Sequence, residues 1–224
     1  MLAVVAVCPH PPLIVPELAG AAAAELDDLR AACGAAVDAL LATDHDLLVV
    51  VGGGPATRAY GERPGGSLRP WGVDVRVGDG EPVLPLSLTV GAWLLGDGAP
   101  RATYQAIAED AAADACLALG AGLVADRRVA MLVMGDGSAC LTEKAPGYLD
   151  EAAQPYNDLI ARALGGADPQ ALAGLDPVEA AGLWVGGRAA LQVLAGAAAE
   201  RPFTGRLLAD VAPYGVGYFV ATWS

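Results

Sequence analysis

The chain is punctuated by short Val- and Leu-rich runs that stop abruptly at glycine, proline or small polar residues. Residues 2–7 lead into Cys8-Pro9-His10-Pro11-Pro12, residues 47–51 into Gly52-Gly53-Gly54-Pro55, and Val129–Met134 into Gly135-Asp136-Gly137-Ser138-Ala139-Cys140. Apolar runs of this length, bounded by turn residues, read as buried strands that empty into loops. Between the first two lies an Ala-rich stretch, residues 18–42, where Leu26, Leu29, Cys33, Val37, Leu40 and Leu41 recur at helical spacing. Glu25, Asp27, Asp28 and Arg30 fall on its wet face. Strand, helix and strand in this order form a parallel crossover unit, and ligands of open α/β sheets bind at the carboxyl ends of such strands.

The same patterning extends along the chain. Residues 56–81 are rich in Gly, Pro and Arg and read as a long excursion with one short edge strand at Val73, Val75 and Val77. A helix is expected over residues 86–95, stopped by Gly96-Asp97-Gly98, then a strand over 102–108 and a helix over 111–125. Further helices are expected over 148–164, in one or two pieces over 169–182, and over 187–199. Residues 206–211 and 217–223 alternate like a hairpin around Pro213-Tyr214-Gly215. The predicted fold is α/β, one domain over residues 1–224, with a mixed, mostly parallel sheet that has an antiparallel end and flanking helices.

Composition narrows the function classes. Apolar residues make up 54% of the chain but aromatics only 5%, so the core is expected to use small side chains and close helix-to-sheet contacts. A formal net charge of −13 opposes nucleic acid and anionic membrane as partners, because phosphate surfaces need clustered Lys and Arg. No apolar stretch reaches the roughly 18–20 residues of a membrane span. The first apolar run is short and lacks a preceding basic region, so export is not expected. Cys8, Cys33, Cys116 and Cys140 show no CxxC spacing and are expected as free thiols in a reducing cytoplasm.

His10 and His45 are the only histidines. His10 follows the first strand and His45 precedes the second, so parallel pairing puts them at opposite sheet ends, roughly 15–20 Å apart. No single ion spans that distance, and His45 reads as a turn residue. His10 sits in a Pro-rich loop that orients its ring, and it is the candidate site residue; an ordinary hydrogen-bonded loop histidine is the alternative. Asp136 and Ser138 are candidate catalytic partners, although in a Gly-rich turn both residue types often bond only their own backbone. Cys8 and Cys140 flank the two loops and would complete a mixed thiolate, imidazole and carboxylate pocket. There is no Gly-x-Ser-x-Gly elbow, and Gly52-Gly53-Gly54 matches neither a P-loop nor a dinucleotide fingerprint.

The His10 loop, the loop after the second strand, Gly135-Asp136-Gly137-Ser138, Ala145-Pro146-Gly147-Tyr148 and the terminal Pro213-Tyr214-Gly215-Val216-Gly217-Tyr218 together resemble the LigB-like superfamily. That superfamily has the catalytic B-subunit fold of class III extradiol ring-cleavage dioxygenases. The resemblance covers nearly the whole chain, and the order of its short motifs carries it. It implies a single α/β domain; active members bind ferrous iron and cleave catechol-type rings with oxygen. His10 falls where the family places its first iron-binding histidine. The second is expected in the loop after strand two, here Gly52-Gly53-Gly54-Pro55, and the family's acid/base histidine is replaced by Ala139. For the late glutamate ligand Glu179 is nearest, with Trp184 or Val185 as other occupants of that place. Alanine cannot transfer a proton, and glycine offers a metal no side-chain lone pair. The resemblance therefore implies a non-canonical member with a degenerate iron site, which binds a small molecule or acts as a subunit. Gly53, Gly54, Cys8 and Cys140 would line its ligand, a small aromatic molecule, and no cofactor is expected. The rival is an active dioxygenase or other oxidoreductase with altered ligands around His10, using ferrous iron or another divalent metal held by His10 with Glu179, Asp136 or a cysteine. Homo-oligomerisation is compatible with either, and a mainly structural role is a third possibility.

Overall fold

The computed structural model describes residues 1–61, 64–96 and 101–224. Its strands are β1 (Leu2–Cys8), β2 (Leu47–Gly54), β3 (Arg58–Tyr60), β4 (Gly66–Ser67), β5 (Arg76–Val77), β6 (Ala102–Ala108), β7 (Val129–Met134), β8 (Gly205–Val211) and β9 (Tyr218–Trp223). Its helices are α1 (Pro16–Ala19), α2 (Asp27–Ala42), α3 (Leu86–Leu95), α4 (Ala113–Leu123), α5 (Ala153–Gly166), α6 (Pro169–Ala173), α7 (Pro177–Gly182) and α8 (Arg188–Ala198). The main sheet has seven strands in the order β3-β6-β2-β7-β1-β9-β8, and β4 and β5 form a separate ribbon. The centre, β6-β2-β7-β1, is parallel throughout. The fold is thus α/β with a mixed sheet, and antiparallel strands close it at both edges, β3 on one side and β9-β8 on the other, rather than at one end only.

Alternate residues of each central strand feed two cores. Val5, Val7, Val49, Val51, Met131 and Val133 point to one face, covered by α4 to α8. Val4, Ala6, Cys8, Val50, Leu132 and Met134 point to the other, covered by α2 and α3. Burial on both sides explains why these strands read as continuous apolar runs instead of alternating ones. Trp223 anchors the last strand, fully buried, with its indole N–H donating to the Leu164 carbonyl at 2.8 Å.

Several expected boundaries shift, each for a local reason. The α-helix expected over 18–42 starts only at Asp27; Pro16–Ala19 is a single turn and Gly20–Leu26 a 3-10 segment. Gly20 stands at φ 53°, and Arg30 reaches back to the Ile14 carbonyl at 3.2 Å and to the Ala23 carbonyl, holding the looser segment against α2. The helix expected over 148–164 starts at Ala153, because Pro155 has no N–H and belongs in a first turn. Tyr148 before it has φ 64°. In the 56–81 excursion Val73 and Val75 lie outside strands, Arg76–Val77 pairs with β4, and the sheet edge is formed by Arg58–Tyr60. Gly96 closes α3 at φ 71°; Asp97 and Gly98 of the expected stop lie outside the described residues.

The most consequential correction concerns Gly52, Gly53 and Gly54. They are the last residues of β2, pairing with Ala106, Ile107 and Ala108, and not a loop. A Cβ on Gly52 would stand 2.5 Å from Ser87 Oγ, whose hydroxyl donates to the Gly53 carbonyl. The glycines thus let α3 approach the end of the strand closely.

Candidate functional site

The register aligns the carboxyl ends of the four central strands. Cys8 of β1 and Gly52 of β2 both lie opposite Met134 of β7, and Gly54 lies opposite Ala108 of β6. The segments that leave these ends therefore share one rim, and His45 lies at the other end of the sheet, its Nδ1 2.7 Å from the Thr43 carbonyl oxygen.

On this rim His10 and Asp136 meet. The His10 backbone N–H donates to Asp136 Oδ1 at 2.7 Å, while the Gly135 N–H donates to the Cys8 carbonyl at 3.0 Å. The first loop is thereby tied to the second directly beyond the paired strands. His10 Nδ1 stands 3.6 Å from the same Asp136 oxygen, too far for a hydrogen bond, and is buried without a partner among the described residues. Only 14% and 16% of the two side chains' surface stays open. Burial pushes the Asp136 carboxyl above its ordinary range, partly offset by the His10 ring and the His10 N–H. Tyr218 of β9 stands close enough that burial, and then the Asp136 charge, keep its phenol protonated well above the usual range.

Burial of the Asp136 carboxyl couples its proton to stability. The folded protein holds this proton more tightly than the unfolded chain, so the contribution is present at low pH. It is lost as pH rises from the unfolded value near 3.8 through the raised folded one. Asp136→Asn keeps an acceptor for the His10 N–H and removes the buried charge. Melting curves across pH should show the variant as stable as the parent or more so at neutral pH, with the difference shrinking on acidification. A variant that loses stability at neutral pH and regains it in acid would contradict this.

The other sequence candidates have different surroundings. Ser138 is fully buried; its hydroxyl donates to the Leu183 carbonyl at 2.7 Å and accepts from the Cys140 N–H at 3.1 Å. Its own N–H is held by Asn157 Oδ1 at 2.8 Å. Asn157 was not singled out in the sequence; Gly137 and Gly217 leave room for it, since a Cβ on either would lie 2.6 Å or less from its amide. Cys140 is buried with its Sγ 3.6 Å from the Gly147 carbonyl. Cys8 turns away from the rim toward Cys33 of α2, and hydrogen bonding to that thiol, then burial, keep it protonated. Gly53 lies on the rim under Glu109, whose Cγ would be 3.3 Å from a Cβ there, whereas Gly54 packs against Ala106 and Pro85. Glu179 is exposed on α7, where Asp176 caps the helix by accepting from its N–H, and its charge bears on Tyr156, whose phenol burial pushes up to about 12.

These placements do not fit an iron site of the ordinary kind. The position expected for a second histidine is strand glycine, the acid/base position is Ala139, and Glu179 lies exposed in the first turn of α7, capped there by Asp176. Among the described residues no group of three or more His, Cys, Asp or Glu side chains is placed to hold a metal ion.

Beside the rim, where β6 ends, opens a cleft of about 740 Å³ that sequence reasoning missed. Glu109 and Asp110 line it with Val178, Trp184 and Gly186, and Arg188 forms part of its floor. The Arg188 guanidinium donates to the Glu109 and Ala111 carbonyls and to Gln192 Oε1. The available signal was Arg188 and Gln192, the only polar side chains of α8, spaced four apart in a helix buried along its whole length. No protein-family model matches this chain, and no curated protein does.

Proposed function

We propose that the chain is a non-canonical LigB-like protein whose carboxyl-edge rim binds a small molecule, as a binding protein or as a subunit, without the ordinary iron site. One observation carries the reading: His10 and Asp136 are held together at the ends of β1 and β7, with His10 Nδ1 buried and unsatisfied. A buried polar atom without a partner costs about 1–3 kcal/mol. Such a cost is tolerated where the group serves a ligand rather than the fold. The order of the short motifs supports the family, as does a mixed sheet whose first loop meets the Gly-Asp-Gly-Ser turn.

The test is a thermal-shift and calorimetry screen of small aromatic molecules, hydroxylated ones included, on the parent and on His10→Ala. A ligand of the parent should bind the variant at least about tenfold more weakly, a difference of about 1.4 kcal/mol. Binding indifferent to His10 would overturn the assignment of the rim. Stoichiometric iron in protein purified without chelator, lost in His10→Ala, or oxygen uptake with catechols, would replace the reading with that of an active ring-cleaving dioxygenase. No helix among the described residues is long and apolar enough to cross a membrane.

A further inference from the structure

The cleft beside β6 adjoins the His10 rim: Glu109, which lines it, lies over Gly53, and Asp136 Cβ lies 3.8 Å from where a Cβ on the lining residue Gly186 would stand. Its volume of about 740 Å³ falls within the range of small-molecule sites. We propose that it binds a small organic cation, a protonated amine carried on an apolar body. This goes beyond the role given to His10 and does not depend on it.

Charge selects the ligand. Glu109 and Asp110 both line the cleft, and among the described residues neither carboxylate is engaged in an ion pair or side-chain hydrogen bond. The one cation in the lining, Arg188, is 3% exposed and directs its guanidinium to the carbonyls of Glu109 and Ala111 and to Gln192. Two carboxylates against one committed guanidinium leave the cavity with an excess of negative charge. An anionic ligand would meet that charge directly, and a neutral one would make no use of it.

The aromatic wall is an independent observation. Trp184 lines the cleft with 59% of its surface exposed; it is the left-handed residue, φ 53°, that closes α7, its N–H donating to the Ala181 carbonyl and that of Val185 to Ala180. The end of α7 thus holds a large apolar ring in the lining of the cleft. An indole in the same lining as two carboxylates suits a cation through its quadrupole, and Pro177 and Val178 supply apolar surface for the body of the ligand.

Calorimetric or NMR titration with phenethylamine, 2-phenylethanol and 3-phenylpropanoate tests this on the full chain. Phenethylamine should bind saturably, with the alcohol and the carboxylate weaker by about tenfold or more. Glu109→Gln combined with Asp110→Asn, and separately Trp184→Ala, should each weaken the amine by a similar factor, while His10→Ala leaves it unchanged. These side chains are exposed, and unchanged melting curves would establish that the variants fold. Absence of saturable amine binding in the millimolar range, equal binding of alcohol and amine, or indifference to the paired acid substitutions would overturn the proposal. Loss of amine binding in His10→Ala would also overturn it as a separate site, while leaving the small-molecule role of the rim standing.

Discussion

Gly120→Ala is expected to destabilise the protein by about 3 kcal/mol or more, the upper end of what overpacking a core costs. Helices α4 and α8 meet backbone to backbone at Gly120 and Gly196. A Cβ on Gly120 would stand 1.9 Å from the Val193 carbonyl oxygen, and one on Gly196 would stand 2.0 Å from that of Leu117. The obstructing atoms are main-chain, so no rotamer change relieves them and the helices must separate. Separation would loosen α8, which is buried along its whole length and lies over the central strands. Gly34→Ala in α2 is the control, because a Cβ there meets nothing within 4 Å. It should stabilise by about 0.5–1 kcal/mol, the ordinary helix preference of alanine over glycine. Urea denaturation of both variants checks the pair; equal and small effects would mean that the α4–α8 contact is not as close as described.

Arg188→Met is expected to cost about 3–5 kcal/mol, since it strands one buried and two partly buried acceptors and a buried acceptor without a donor costs about 1–3 kcal/mol. The guanidinium donates at 2.5 Å to both the Glu109 and Ala111 carbonyls, and at 3.0 Å to Gln192 Oε1. Gln192 in turn donates to the Ala173 and Leu175 carbonyls at 3.1 and 2.9 Å. One arginine and one glutamine thus clamp the turn after β6 to the turn between α6 and α7. Arg188→Lys should recover less than half of the loss, because a single ammonium cannot reproduce the planar fork that meets three acceptors. Gln192→Leu should lower stability by a smaller amount. Melting and denaturant curves of the three variants test the order, and a lysine variant as stable as the parent would show that charge alone, not fork geometry, satisfies the site.

Both predictions rest on features that no single stretch of sequence displays, whereas much of the scaffold was readable locally. The runs at residues 2–7 and 129–134, the strand Ala102–Ala108 and the helix Leu86–Leu95 lie where periodicity put them, because burial on both faces or on one stripe is written into a few adjacent residues. Pro155 marks the true start of α5, a signal that the expectation of a helix over 148–164 left unused. Gly52-Gly53-Gly54 read as a loop, since glycine marks turns in sequence; only the approach of Ser87 shows why strand positions needed glycine.

The sequence by itself determined the alternation of strands and helices, the position of the two loops that leave β1 and β7, and the presence of a lone histidine in the first. Tertiary structure alone decided that those loops join through Asp136, that Cys8 faces α2 and not the rim, and that Glu109, Trp184 and Arg188 share a cleft. The reason is physical: periodicity encodes which face of an element is buried, a property of neighbouring residues. A site is made by register between strands about 125 residues apart and by where a side chain finds room, and these are settled only when the elements pack.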